Sequence, residues 1–150
     1  MKVGIISDTH NLLRPEVVEM LSGCEVILHA GDISSQRILD RLEKIAPVLA
    51  VRGNNDMGWA DHLPLYLKFQ LAGKNIFMTH MKYDFPKNTS AFDLVVFGHS
   101  HRYEYRKEGN TVFLNPGSCG PGRFTIPATM AIAEIDEDGI WVRRIEIPRE

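Results

Sequence analysis

The chain has 150 residues, about one domain's worth of sequence. Its hydrophobic and charged fractions, 44% and 24%, are ordinary for a globular domain, and a net charge of −2 supplies no basic field to draw it onto nucleic acid or anionic lipid. No apolar run approaches the roughly 18–20 residues of a membrane span, the opening MKVGIISDTH is too short in its apolar part for a signal-peptide core, and Cys24 and Cys119 are far apart with no CxxC pair. The expectation is a single domain over residues 1–150, without a disulfide framework, in a reducing cytoplasm.

In chain order, Val3–Ser7 reads as a buried strand and Pro15–Ser22 as a helix with proline in its first turn. Glu25–His29 is a second strand. Ser35–Ile45 is an amphipathic helix with Ile38, Leu39, Leu42 and Ile45 on one face and Ser34 or Ser35 as N-cap. Pro47–Arg52 is a third strand. Strands alternating with helices imply parallel crossovers. The second half changes character. Tyr66–Leu71, Asn75–His80, Asp93–Gly98, Arg102–Lys107, Thr111–Asn115, Thr129–Ile135 and Ile140–Ile147 read as strands, several alternating apolar and polar. One short helix fits near Asn88–Phe92. The architecture expected is an α/β sandwich of two mixed sheets flanked by helices.

Five apolar runs end in polar residues at their C-terminal side. VGIIS leads to Asp8 and His10, EVILHA to Asp32, PVLAVR to Asn54, NIFMT to His80, and DLVVF to His99 and His101. In parallel α/β sheets the functional crevice lies outside the carboxyl ends of the strands, so these clusters can converge. Carboxylate, amide and imidazole donors without a thiolate suit Mn, Fe, Zn, Ni or Co better than Ca or Mg. Seven donors exceed one tetrahedral ion and suit two ions about 3.5–4 Å apart that share a carboxylate. Each piece also has a plain reading. Asp8 and Asp32 can cap turns or helices, Asn54-Asn55 can be a tight turn, and His80 can be structural. His99 and His101, two apart, share a side of the chain if the backbone there is extended.

The ordered set Asp8-x-His10, Gly31-Asp32, Gly53-Asn54, His80 and Gly98-His99-x-His101 resembles the calcineurin-like metallophosphoesterases. The stretch Asn115-Pro-Gly-Ser118 with the following Arg123 is similar to their small bacterial and archaeal phosphodiesterase branch. The resemblance implies the two-sheet fold. It also implies a first metal on Asp8, His10 and His101, a second on Asn54, His80 and His99, and Asp32 bridging both. Asp32, Asn54 and His99 are then catalytic as well as metal-binding. Asn55 and Arg123 are the expected substrate contacts, Arg123 as a phosphate clamp, with a salt bridge that holds its own loop as the equal alternative. The implied cofactor is a pair of divalent ions, Mn²⁺ first, with Ni²⁺, Co²⁺, Zn²⁺ or Fe as alternatives. A water shared by two cations loses its proton near neutral pH and attacks phosphorus in line.

Two departures stand out. Many relatives have a histidine after the motif asparagine; here it is Asn55, and an amide cannot act as a general acid. Relatives have Gly-His after the residue equivalent to His80; here Met81-Lys82 follows, and Lys82 reads as a solvated lysine. His29 reads as a buried, hydrogen-bonded histidine, His62 as exposed, Asp56 as a residue orienting its neighbours, and both cysteines as small apolar fillers. The expected substrate is a small phosphodiester, and a short oligonucleotide is the only nucleic acid that the charge does not argue against. A phosphomonoesterase on the same site, or a protein-interaction scaffold like the phosphoesterase-like subunit of retromer, are the alternatives. Exposed edge strands and Trp141 leave room for a homodimer or homotetramer.

Overall fold

The structure is a computed structural model, and it describes residues 1–122 and 125–148. Among the described residues, ten strands form two five-stranded sheets. The first sheet has the order β10-β9-β1-β2-β3, built from β1 (Lys2–Ile6), β2 (Val26–His29), β3 (Val48–Ala50), β9 (Ala128–Asp136) and β10 (Gly139–Ile147). The second has the order β4-β5-β6-β8-β7, built from β4 (Tyr66–Leu71), β5 (Lys74–Thr79), β6 (Leu94–Val96), β7 (Tyr103–Glu108) and β8 (Thr111–Pro116). Both sheets are mixed. β1, β2 and β3 run parallel, as do β5, β6 and β8, while β9, β10, β4 and β7 are antiparallel additions.

The period of two along each central strand decides the layering. Val3, Ile5, Val26, Leu28, Ala131 and Ala133 of one sheet meet Ile76, Met78, Leu94, Val96, Val112 and Leu114 of the other in the core between the sheets. The intervening residues face outward. On the first sheet Ile6, Ile27, Met130 and Ile132 pack under α1 (Pro15–Leu21) and α2 (Gln36–Glu43), which contribute Val17, Leu21, Ile38, Leu39 and Leu42. On the second sheet the outward Phe77, Val95 and Phe113 gather with Phe97, Phe85 and Phe92. Two 3-10 turns, Lys82–Asp84 and Thr89–Ala91, lie on the connection that carries Phe85 and Phe92. No α-helix covers this second face among the described residues. The expected helix near Asn88–Phe92 is one of these turns.

Both helices are shorter than their sequence patterns. α1 stops at Leu21 because Ser22 is extended and Gly23 is left-handed, at φ +90°. Ser35 occupies the N-cap of α2, yet its hydroxyl donates to Asn11 Oδ1 at 2.7 Å instead of capping the helix. Cys24 and Cys119 are free and buried, and burial pushes the Cys119 thiol up to about 12.

Six parallel strands point their carboxyl ends at one end of the sandwich, and the loops leaving them are stitched together across the sheets. The Asp8 N–H donates to the Gly31 carbonyl at 2.9 Å, the His80 carbonyl accepts the Gly98 N–H at 2.9 Å, and the Ser118 hydroxyl donates to the Asp8 carbonyl at 2.8 Å. That end of the molecule carries the residues singled out above.

Candidate metal centre

Two groups of side chains meet at this end. The ligand-type atoms of Asp8, His10 and His101 lie within 4.8 Å of one another, and so do those of Asp32, His80 and His99. Asp32 Oδ2 is 3.3 Å from His80 Nε2 in its own group and 3.7 Å from His10 Nε2 in the other. His80 Nε2 is 3.8 Å from Asp8 Oδ1. The groups therefore adjoin, with Asp32 between them. Asn54 joins the second, its Oδ1 3.1 Å from His99 Nδ1. All seven residues predicted as metal ligands are thus brought together.

His99 and His101 do not lie on one side of an extended segment. Both are left-handed, at φ +78° and +65°, and the turn sends one imidazole to each group. Left-handed backbone recurs at the site. Asp8, His10 and Asp32 adopt it too, as do their neighbours Asn11 and Ser34. Such residues are unfavourable by about 1–2 kcal/mol each and persist where the surroundings over-determine them, commonly at functional sites.

The motif glycines answer to contact. A Cβ on Gly53 would come within 2.1 Å of Asp32 Oδ1, and one on Gly98 within 2.1 Å of Ser7 Oγ and 2.7 Å of Asp8 Oδ2. Neither approach is tolerable, so any side chain there displaces a carboxylate of the site.

The surrounding hydrogen bonds leave particular atoms free. Asp8 Oδ2 accepts from the Ser7 hydroxyl at 2.6 Å and from the His99 N–H at 3.1 Å, while buried Oδ1 has no hydrogen-bond partner among the described residues and faces three imidazoles. His80 donates Nδ1–H to the Ala30 carbonyl at 2.7 Å, which turns Nε2, buried and without a hydrogen-bond partner among the described residues, toward Asp32. A backbone carbonyl fixing one ring nitrogen while the other stays available is the usual arrangement of a metal-binding histidine. His10 Nε2 and His101 Nε2 face each other at 3.3 Å beside Asp8 Oδ1, which a proton or a cation must reconcile. A buried oxygen and nitrogen left open, with mixed carboxylate and imidazole donors, fit a divalent transition-metal ion.

The charges agree. Burial alone would raise the Asp8 carboxyl, but His10, His101, His80 and the Ser7 hydroxyl outweigh it and hold it well below the usual carboxylate range. Burial opposes ionisation of Asp32 as well, and His80 and the Asn55 N–H overcome it to lower its pKa. His10 is raised by its contact with Asp8. Burial would lower His80, and Asp32 and Asp8 reverse this. Such coupled acids and bases mark functional sites.

Supporting residues are plain in the structure. The Asp56 carboxylate accepts N–H bonds from Ile33, Ser34 and Gly53, pinning the loop after β2 to the loop after β3. Fully buried His29 accepts the Gly31 N–H at Nδ1, so Nε2 carries the proton and donates to Thr9 Oγ1 at 3.0 Å. Asn115 donates to the Gly98 carbonyl at 3.0 Å and to Ser100 Oγ at 3.1 Å, bracing the loop that carries both histidines. Asn55 donates to Asp32 from both its backbone and its side chain. Lys82 is ion-paired with Glu104 at 3.1 Å. Arg123 lies outside the described residues.

Sequence reasoning does not find the roles of Ser7 and Ser118, because a serine beside a motif carries no signal of its own. Nor does it find a groove of about 230 Å³ beside the second group, lined by Arg52, Asn54, Leu65, His80, Met81 and Asp84. Its apolar walls are scattered in the sequence.

Residues 1–138 match the family model of the calcineurin-like phosphoesterase superfamily domain. The chain belongs to that superfamily. A relative in Methanothermobacter thermautotrophicus, named "Probable metallophosphoesterase", is 33% identical over 147 residues, covering 88% of this chain and 85% of its own. Among solved structures of this phosphoesterase fold, a novel archaeal phosphodiesterase is 25% identical with a TM-score of 0.78, over 98% of this chain and 100% of that one. Vps29 of Chaetomium thermophilum also superposes with a TM-score of 0.78, over 100% of both chains, at 20% identity, which speaks for the fold alone. The superfamily consists of divalent-metal-dependent phosphoesterases, and this member carries candidate ligand groups for such ions. None of its described helices is long and apolar enough to cross a membrane.

Proposed function

We propose that this chain is a phosphodiesterase, one domain over residues 1–150, working with two divalent ions and preferring Mn²⁺. Asp8, His10 and His101 would hold one ion, Asn54, His80 and His99 the other, and Asp32 would serve both. The observation that carries this reading is the adjoining pair of carboxylate–imidazole groups, with Asp8 Oδ1 and His80 Nε2 left at their junction without hydrogen-bond partners among the described residues. Ions held there would lower the pKa of a water and polarise phosphoryl oxygens. The chain's own contribution is position. Ser7 and the His99 N–H fix the face of Asp8, the Ala30 carbonyl fixes the ring of His80, and Asn55 fixes Asp32. The groove beside Asn54 and His80 offers room for one ester arm of a diester, and Leu65 and Met81 favour an apolar arm.

Hydrolysis by metal-stripped protein titrated with Mn²⁺ tests this directly, with bis-p-nitrophenyl phosphate as diester and the p-nitrophenyl monoester alongside. Metal-dependent diester cleavage is expected, with the monoester slower. Faster monoester turnover would favour the phosphomonoesterase. A folded protein inactive with Mn²⁺, Ni²⁺, Co²⁺ and Zn²⁺ would favour the interaction scaffold.

A further inference from the structure

Asn55 grips both oxygens of one carboxylate. Its backbone N–H donates to Asp32 Oδ1 at 2.9 Å and its side-chain amide to Asp32 Oδ2 at 3.1 Å. Two donors from a single residue, one to each oxygen, stop the carboxylate from turning about its Cβ–Cγ bond. Each oxygen has about two lone-pair sites, so one remains on each. The plane is fixed with Oδ2 between the two groups, 3.3 Å from His80 Nε2 and 3.7 Å from His10 Nε2. A side-chain amide donates hydrogen bonds but has no proton to transfer. A residue occupied in this way cannot also serve as a general acid.

Resting on the phosphodiesterase reading above, we propose that Asn55 is the positioning residue of Asp32, and that the site selects diesters whose leaving group departs unprotonated, such as aryl esters over alkyl esters. In the step selected, water forms the new P–O bond and gives up a proton to solvent. The old P–O bond breaks, and its electron pair leaves on the departing oxygen as an aryloxide. A general acid is worth about 10²–10⁴-fold where the leaving group needs a proton, and alkyl esters forgo that factor here.

Two measurements on the full chain test the proposal. In the first, metal-stripped wild type, Asn55→Ala and Asn55→Leu are titrated with Mn²⁺ by calorimetry and followed by Mn²⁺ electron paramagnetic resonance. Loss of an outer partner of a ligand weakens metal binding by about 10–100-fold. Both variants should show that loss for at least one ion and an altered spectrum, while the unfolding temperature of the metal-free protein stays close to wild type. Because Asn55 is exposed, both substitutions should fold. Unchanged affinity in either folded variant overturns the positioning role. In the second, methyl aryl phosphodiesters of rising leaving-group pKa are compared. The wild-type kcat/KM should fall steeply along the series, and Asn55→Ala should lower every member by the same factor. A flat series, or a steeper slope in Asn55→Ala, shows a proton reaching the leaving group and overturns the selection. A wild type that binds no Mn²⁺ would instead remove the metal reading on which this inference stands.

Discussion

At the scale of single residues, the site is built from side chains whose backbones resist their own conformation. Five of the seven candidate ligands are left-handed, and the glycines beside Asp32 and Asp8 leave no room for a methyl group. Gly98→Ala should therefore abolish Mn²⁺ binding as measured by calorimetry, because the new Cβ displaces Ser7 Oγ and Asp8 Oδ2. Gly53→Ala should do the same through Asp32. His29 gives a prediction for the fold itself. Burial lowers its pKa from 6.5 to about 4, so the folded state holds it neutral while the unfolded chain takes up a proton below about pH 6.5. Its contribution is intact above that pH and is lost as pH falls toward 4, by about 3 kcal/mol at most. His29→Gln cannot titrate. Denaturant unfolding should show the gap between wild type and this variant shrinking from pH 7 to pH 4.5, and a constant gap would contradict the neutral assignment. The ligand types were legible in the sequence because carboxylates and histidines closing apolar runs are conspicuous. Ser7, Ser118 and the grip of Asn55 on Asp32 were not, since they depend on which loops end up adjacent.

At the scale of elements, most strands were legible to within a residue at each end, but β3 and β6 are three residues long where six were expected, and the connections were less legible still. Tyr66–Leu71 alternates and forms β4 over the same span, because one side meets the core and the other meets water. The helices lost residues at their ends, where Ser22 and Gly23 after α1 and Ser35 before α2 leave helical backbone whatever the apolar period. The β4–β5 hairpin turns on Ala72 and Gly73, both left-handed, at φ +49° and +82°. Two-residue turns of that kind favour Asn-Gly. Ala72→Asn should raise stability by about 1 kcal/mol, a rise of about 2–4 °C in thermal unfolding for a chain of this size. The loops at the site hang on Asp56, whose removal would strand the N–H groups of Ile33, Ser34 and Gly53. Asp56→Ala should cost about 3 kcal/mol or more in urea unfolding, and Asp56→Asn less, since the amide keeps one acceptor.

At the scale of the whole molecule, two sheets with parallel centres bring six strand ends to one place, and this converts motifs spread from Asp8 to His101 into two adjoining groups. The two-sheet architecture was readable because the strand signals were many and regular. The outer face of the second sheet was less so: Phe77, Val95 and Phe113 look like any buried apolar residues in sequence, and only the packing shows that aromatic side chains, and no helix among the described residues, cover them. The partition of His99 and His101 between the groups was equally hidden from spacing, because it depends on two left-handed residues. Asp32 would make one centre of the two groups. The stoichiometry of Mn²⁺ binding to metal-stripped protein, wild type beside Asp32→Asn, tests it most directly. Two ions per wild-type chain are expected, and fewer than two, bound more weakly, in Asp32→Asn. Two ions held with undiminished affinity by Asp32→Asn, or none by a folded wild type, would contradict it.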